Sequence, residues 1–258
     1  MPDASIAPES VSATSAPTGR ARRIGLYGGT FDPVHLAHLI TAQDAMVQLG
    51  LDEMLFVPAY RSPFKTGKSA SDSLHRLEML RLSLQGVSGF GILETEIRRA
   101  EPSYAIDTVL EVRAANSGAE LFFLIGEDHL PTLDKWHRAE ELHRLIRFAM
   151  QTRRDFDPSA LHTATDVAAE ARSALLSSSH SATSATPATA LSLSKNVQAT
   201  PKNVAQNLAD NVIRLPNSRH VDISASEIRR RVQQRLPIHF LVTPAVAHYI
   251  ASHGLYQE

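Results

Sequence analysis

Residues 28–38 read Gly-Gly-Thr-Phe-Asp-Pro-Val-His-Leu-Ala-His, and this stretch decides how the chain folds. The short apolar run at 24–27 predicts a buried strand before it, and the amphipathic stretch at 36–49 predicts a helix after it. The order is therefore strand, glycine turn, helix. Two adjacent glycines at such a corner let the backbone approach a phosphate closely, which makes this turn a candidate binding element.

The start of the predicted helix adds to this picture. We expect Asp32 to cap the helix and Pro33 to occupy its first position, where proline is favoured. His35 and His38 are three residues apart, so they share one face of the first turn, beside the positive end of the helix. A Gly-Gly pair alone is usually an ordinary turn, and a single histidine is usually just partly buried. The combination in one corner favours a site for the phosphates of a nucleotide.

Composition excludes several classes of protein. The 258 residues carry 26 Lys and Arg against 27 Asp and Glu, so the chain lacks the basic excess expected of a protein that coats nucleic acid. There is no cysteine, which excludes disulfides and thiolate metal sites and is compatible with a cytoplasmic location, the one we expect. No apolar run approaches the ~20 residues needed to span a membrane. We therefore expect neither a nucleic-acid partner nor a membrane partner.

The chain divides into a tail and one domain. Residues 1–22 are rich in Ser, Ala and Pro without the apolar core of a secretory signal, which predicts a disordered tail. Predicted strands and helices alternate through 23–258, which indicates an α/β domain with a Rossmann-like, doubly wound parallel sheet. The character of the sequence changes over about 156–211, with a low-complexity run at 177–186, and the stretch is interpreted as an insertion, partly helical and partly mobile. Gly28 and Gly126 both follow predicted strands, so they should line one cleft.

Further motifs appear in the same order as in a known family. They are residues 28–38 and 58–65, Arg76, Arg99, Pro102-Ser103-Tyr104, Asp107-Thr108, Gly126 with Asp128, Trp136, Arg153, residues 223–229 and Gly254-Leu255-Tyr256. With these motifs the chain resembles bacterial nicotinate-nucleotide adenylyltransferases, of the nucleotidylyltransferase superfamily, over 23–155 and 212–258. The resemblance implies transfer of the adenylyl group of ATP to nicotinate mononucleotide. The products are nicotinate adenine dinucleotide and pyrophosphate, a step of NAD biosynthesis.

The resemblance also implies roles for individual residues. The implied catalytic residues are His35, His38 and Arg229. The implied ATP-binding residues are Gly28, Gly29, Thr30, Phe31, Asp32, His35, His38, Ser224 and Arg229. The implied mononucleotide-binding residues are Lys65, Tyr104, Ala105, Thr108, Asp128, Trp136 and Arg153. Mg²⁺ is expected to accompany ATP on phosphate oxygens and water, because the sequence shows no cage of protein ligands. A homo-oligomer is compatible with the sequence.

Simpler interpretations stand beside some of these roles. Ser224 is also a plausible helix cap, Arg229 a surface charge, and Trp136 a core residue whose indole face can otherwise stack on a pyridine ring. Ala37 and Ala105 replace a usual glycine and a usual threonine of the family. In addition, residues 62–65 read Ser-Pro-Phe-Lys where the family has Pro-Pro-His-Lys. With Phe64 in place of the usual histidine, one polar contact near the phosphates is missing.

Other functions stay open at this point. One alternative is an adenylyltransferase for nicotinamide mononucleotide or for another phosphate acceptor such as phosphopantetheine. Another is a catalytically silent nucleotide-binding module. The presence of His35, His38 and Arg229 together argues against the silent module, because simple binding does not need all three.

Overall fold

The computed structural model describes residues 20–61, 70–151, 211–215, 219 and 221–257. In this part of the chain one sheet contains six strands, β1 Arg23–Gly29, β2 Glu53–Pro58, β3 Phe90–Ile92, β4 Glu120–Ile125, β5 Arg147–Gln151 and β6 Val212–Leu215. The helices are α1 Leu36–Leu49, α2 Ser73–Leu84, α3 Thr95–Arg99, α4 Ala105–Ala115, α5 Ala139–Leu145, α6 Ala225–Gln233 and α7 Pro244–Ser252. A 3₁₀ segment, Glu127–Lys135, follows β4.

The order of strands in the sheet is β3-β2-β1-β4-β5-β6, and every pair is parallel. Tyr27 of the central strand β1 pairs with Phe56 of β2 on one side and Leu124 of β4 on the other. The order reverses between β1 and β4, and a crevice for ligands opens at such a point, at the carboxyl ends of the strands. The predicted Rossmann-like, doubly wound parallel sheet is confirmed.

Apolar cores lie on both faces of the sheet. Successive residues of β4 point to opposite faces, so Phe122 packs in one cluster with Phe56 while Phe123 packs in the other with Phe148. Burying each of these side chains stabilises the fold by about 2 kcal/mol. Because helices cover both faces, the strands read in the sequence as continuous apolar runs rather than as alternating ones.

The prediction for the start of α1 was wrong. The helix begins at Leu36 with His35 as its N-cap residue, three residues later than the Asp32 cap implied, and the Asp32–Pro33 peptide is cis. The Asp32 carboxylate instead accepts hydrogen bonds from the backbone N–H of Ser71 at 3.1 Å and from the hydroxyl of Tyr256 at 2.7 Å. A local capping rule fails here because distant segments occupy the side chain that it relies on.

Two of the predicted regions fall mostly or wholly outside the described residues. Strand β5 ends at Gln151 and β6 begins at Val212, and the two pair in parallel, so the sheet resumes where the sequence indicated. Between them only Asn211 is described. The insertion at 156–211 and the tail at 1–22, of which 20–22 are described, remain predictions.

Among the helices of the described residues, none has the length and apolarity required to cross a bilayer.

Candidate active site

A cleft of about 540 Å³ opens over the carboxyl ends of β1 and β4. It brings together many of the predicted site residues, namely Gly28, Gly29, Thr30, Phe31, His38, Tyr104, Ala105, Asp128 and Trp136. Gly126 lies in the same wall as Gly28, so the expectation that both line one cleft is confirmed. The cleft lies at the reversal of strand order, where this class of sheet binds ligands.

The prediction that Gly28 and Gly29 form a turn was wrong, because both belong to β1, where they pair with Val57 and Pro58 of β2. The name glycine turn is kept for residues 28–31, which lead out of the strand, and side-chain packing also requires their two glycines. A Cβ atom at Gly29 would lie 2.8 Å from Cζ of Phe31, and one at Gly28 would lie 2.9 Å from Cζ of Phe123. Phe31 has a positive φ of 51°, and its side chain is 2% exposed. Such a backbone conformation is costly for a residue other than glycine and persists only where packing holds it. The buried rings of Phe31 and Phe123 therefore restrict this part of the backbone.

The two histidines have different surroundings. Their rings stack with centroids 3.6 Å apart, and the backbone N–H of His35 donates to Nδ1 of His38 at 3.2 Å. With Nδ1 as the acceptor, a neutral His38 carries its proton on Nε2, and this ring lines the cleft. His35 is 6% exposed behind it, and burial lowers its pKa to about 4, so His35 is neutral at pH 7. His38 therefore lines the cleft, whereas His35, which was also predicted to contact the phosphates, is not among the described residues that line it.

Helix α6 meets the glycine turn from another direction. Ser224 is its N-cap residue, and its Oγ accepts from the backbone N–H of Glu227 at 3.2 Å. Arg229 donates to the backbone carbonyl of Asp32 and, at 3.1 Å, to Oγ of Ser226. Neither Ser224 nor Arg229 is among the described residues that line the cleft. Arg229 does contact Asp32, which directly follows the cleft-lining residues of the glycine turn.

The start of α4 also lines the cleft. Tyr104 is the N-cap residue of this helix, followed by Ala105, and the first amide N–H groups of a helix have no partner within it. Trp136 is half-buried and meets Phe123 and Phe148 edge-on, with centroids 5.8 and 5.9 Å away. The indole therefore both packs against the core and lines the cleft. The Asp128 side chain, 78% exposed, lies at the rim.

Thr108 does not reach the cleft. It is fully buried in α4, where its hydroxyl donates to Oε1 of Glu96 at 2.7 Å and accepts from the guanidinium of Arg99 at 3.0 Å. Glu96, which the sequence did not single out, does line the cleft although it is only 7% exposed. Burial raises the pKa of Glu96, and hydrogen bonds from Ser103 and Thr108 oppose that shift. Spacing offered no signal for this residue, since a glutamate among arginines reads as a solvated charge.

Arg76 is a second buried group whose role the sequence left unassigned. It is 1% exposed, and its guanidinium donates to the carbonyls of Thr30 at 2.7 Å, Ser71 at 3.0 Å and Tyr60 at 3.3 Å. It thereby fixes the glycine turn to two neighbouring backbone segments. Other predicted positions, Lys65, Phe64 and Arg153, lie outside the described residues.

Comparison with known proteins shows which family this chain is similar to. The family model described as cytidylyltransferase-like matches residues 26–231. A probable nicotinate-nucleotide adenylyltransferase of Methylacidiphilum infernorum is 32% identical over 91% of this chain and 92% of its own length. Another from Gemmatimonas aurantiaca is 36% identical over 92% and 93%. The nicotinate-nucleotide adenylyltransferase of Bacillus subtilis is 42% identical over 49% of this chain and 67% of its own.

A solved structure agrees with the fold. Plasmodium falciparum nicotinic acid mononucleotide adenylyltransferase complexed with NaAD superposes with a TM-score of 0.58 at 18% identity. The match covers 91% of this chain and 97% of that one. At this identity the likeness supports the architecture alone.

Proposed function

The chain belongs to the cytidylyltransferase-like family and, within it, to the nicotinate-nucleotide adenylyltransferases, and from this premise we propose that it transfers the adenylyl group of ATP to nicotinate mononucleotide. The observation that carries the proposal is that one cleft is lined both by the glycine turn with His38 and by Trp136 with the start of α4. The first group suits a triphosphate, and the second suits a flat ring bearing a negative charge.

The reaction needs no covalent enzyme intermediate. An oxygen of the mononucleotide phosphate attacks the α-phosphorus of ATP in line, and a new P–O bond forms. The bond between the α-phosphorus and the bridging oxygen breaks, and pyrophosphate leaves with its electron pair. Both reactants are anions, so positioning and electrostatic stabilisation supply most of the rate.

The residues of the turn have roles that fit this chemistry. The Nε2–H of His38 donates to the phosphates, and the backbone of the glycine turn supports the same charge. Arg229, held on the carbonyl of Asp32, meets the β- and γ-phosphates beside the N-terminus of α6, where Ser224 is the cap residue. His35 keeps His38 in place by ring stacking and by its backbone N–H.

Trp136 and the start of α4 select the mononucleotide in this proposal. The Trp136 ring bounds the space for the pyridine, and the amide N–H groups at the start of α4, after Tyr104, receive the nicotinate carboxylate. Ala105 fits this role, because a backbone amide is supplied by alanine as well as by threonine. Asp128, which lines the cleft, binds a ribose hydroxyl in this proposal.

Mg²⁺ belongs to the substrate in this proposal. Among the described residues no group of three or more His, Asp and Glu side chains is placed to hold a metal ion. In this proposal the ion enters with ATP on phosphate oxygens and water, where it would neutralise phosphate charge. We also propose that the partners are the small molecules ATP and nicotinate mononucleotide, without nucleic acid or membrane, and that the protein acts in the cytoplasm. A homo-oligomer is compatible with these roles.

Product identification tests the proposal directly. The protein is incubated with ATP and Mg²⁺ and with nicotinate mononucleotide or nicotinamide mononucleotide in parallel, and the dinucleotide and pyrophosphate are quantified. We expect nicotinate adenine dinucleotide with a clear preference for the acid. A preference for the amide would reassign the acceptor, and ATP binding without either product would favour a silent module or another acceptor.

A further inference from the structure

Asp32 joins three segments at the edge of the glycine turn. Its carboxylate, in a residue only 6% exposed, accepts from the backbone N–H of Ser71 through Oδ2 and from the hydroxyl of Tyr256 through Oδ1. Its backbone carbonyl accepts from the guanidinium of Arg229. The position of Arg229 relative to the turn therefore depends on where Asp32 lies.

Arg76 provides the countercharge for this cluster. Its buried guanidinium is bound to the carbonyls of Thr30, Tyr60 and Ser71, and it interacts electrostatically with Asp32. A buried carboxylate beside a fixed cation and two donors has little freedom to move. Tyr256 supplies one of those donors from the segment that follows α7.

The conformation of Tyr256 indicates that its hydroxyl is held in place. The residue has a φ of +62°, a left-handed conformation that is uncommon outside glycine and is retained only where contacts require it. The hydroxyl lies 2.7 Å from Oδ1 of Asp32. Burial, together with the neighbouring carboxylate, raises the pKa of Tyr256, so the hydroxyl keeps its proton throughout ordinary assay conditions.

We propose that Tyr256 is a positioning residue for the triphosphate end of the site, because its hydroxyl holds Asp32 and Asp32 in turn holds Arg229. The inference rests on the proposed function to the extent that Arg229 meets the phosphates of ATP. It adds to that function a residue far from the glycine turn in sequence, and it assigns the hydroxyl rather than the ring of Tyr256 as the group that acts.

The test compares Tyr256→Phe with a matched control, Tyr249→Phe. Tyr249 lies on α7, and its hydroxyl is 2.9 Å from Nδ1 of His75, away from the glycine turn. Each substitution removes one hydroxyl and keeps the ring. The Kd for ATP is measured by calorimetry without acceptor, and KM for each substrate and the melting temperature are measured for both variants.

We expect Tyr256→Phe to raise the Kd and KM for ATP about fivefold, the order of one net hydrogen bond. We expect its KM for the mononucleotide to change less than about twofold, and Tyr249→Phe to leave both substrates unaffected. An unchanged ATP affinity in Tyr256→Phe would overturn the proposal. Equal losses for ATP and the mononucleotide would overturn it as well, because they would point to a general structural role.

A second measurement tests the route through Arg229. In a double-mutant cycle of ATP affinity, Tyr256→Phe should add little to Arg229→Lys if the hydroxyl acts through that guanidinium. Full additivity would contradict the route. Because ATP binding is measured without acceptor, a wild-type protein that binds ATP but makes no nicotinate adenine dinucleotide would refute the proposed function and leave this inference standing.

Discussion

Replacing Gly29 by alanine tests whether packing or ligand approach requires this glycine. The new Cβ would lie 2.8 Å from Cζ and 2.9 Å from Cε1 of Phe31, closer than carbon atoms normally approach. The ring has little room to withdraw. Phe31 is 2% exposed and meets the rings of Tyr27 and His38, with centroids 5.6 and 5.0 Å away.

The magnitude follows from two opposing effects. Forcing an extra carbon into a packed core costs about 1–3 kcal/mol. Alanine in place of glycine within a strand stabilises the fold by about 0.5–1 kcal/mol, because the unfolded chain then has less conformational entropy to lose. The overpacking dominates, so the free energy of unfolding should fall by about 1–2 kcal/mol, which corresponds to a melting temperature lower by roughly 2–8 °C. Activity should fall as well, because Phe31 is in contact with His38.

The assay is thermal and urea unfolding of the ligand-free protein. A double-mutant cycle with Phe31→Leu serves as the control, because a smaller side chain leaves room for the new Cβ. The two changes should couple by about 1 kcal/mol or more in the compensating direction. If Gly29→Ala unfolds at the wild-type temperature and only binds ATP more weakly, the glycine serves close approach of the ligand and the packing argument is refuted.

Three further predictions concern other parts of the molecule. His38→Asn retains an acceptor for the His35 N–H but loses the Nε2 donor, so turnover should fall on the order of a hundredfold in steady-state assays with little change in melting temperature; wild-type turnover would remove His38 from the mechanism. Burial lowers the pKa of His35 from 6.5 to about 4, so between those values the unfolded chain binds a proton that the folded chain does not. The free energy of unfolding therefore falls as the pH drops through that window. Between pH 7 and pH 5, His35→Gln should lose about 2 kcal/mol less of this free energy than the wild type in urea titrations. Identical losses would contradict the conclusion that His35 is buried in its neutral form. Arg219→Gln removes the guanidinium that lies 2.6 Å from the carboxylate of Asp44, which is 3% exposed, and should lower the free energy of unfolding in urea by about 2 kcal/mol. The control Arg144→Gln, from an exposed pair with Glu140, should lower it by under about 0.5 kcal/mol. Similar losses for both variants would show that the Asp44 pair stabilises little.

Local patterns predicted the elements that form the cleft. Buried parallel strands appear as apolar runs, so the residues of β1 and β4 were recognisable, and the cleft lies at their carboxyl ends because a doubly wound sheet reverses there. The i,i+3 spacing correctly placed His35 and His38 side by side. The start of α7 also follows the local rules for helix caps. Thr243 accepts from the N–H of Val246, and Pro244 is the first residue of the helix.

Local patterns were wrong for Asp32, and elsewhere they gave no sign of a side chain's distant partners. Asp32 has the chemistry of a helix cap, but it is bound by Ser71, 39 positions away, and by Tyr256, 224 positions away. Thr108 belongs to a motif expected at the mononucleotide, yet its position on α4 directs the hydroxyl to Glu96. Arg76 received no role from the sequence and is one of the most deeply buried side chains of the described residues.

The amino-acid sequence by itself determined which segments become strands and helices, and which residues capable of phosphate chemistry follow β1. These properties depend on hydrophobic periodicity and on short spacings, which act over one or two turns of chain. Tertiary structure alone decided that His38 faces the cleft while His35 is buried behind it, and that Asp32, Arg76 and Tyr256 form one buried cluster. Burial and long-range hydrogen bonds depend on which distant segments meet, and no local pattern carries that information.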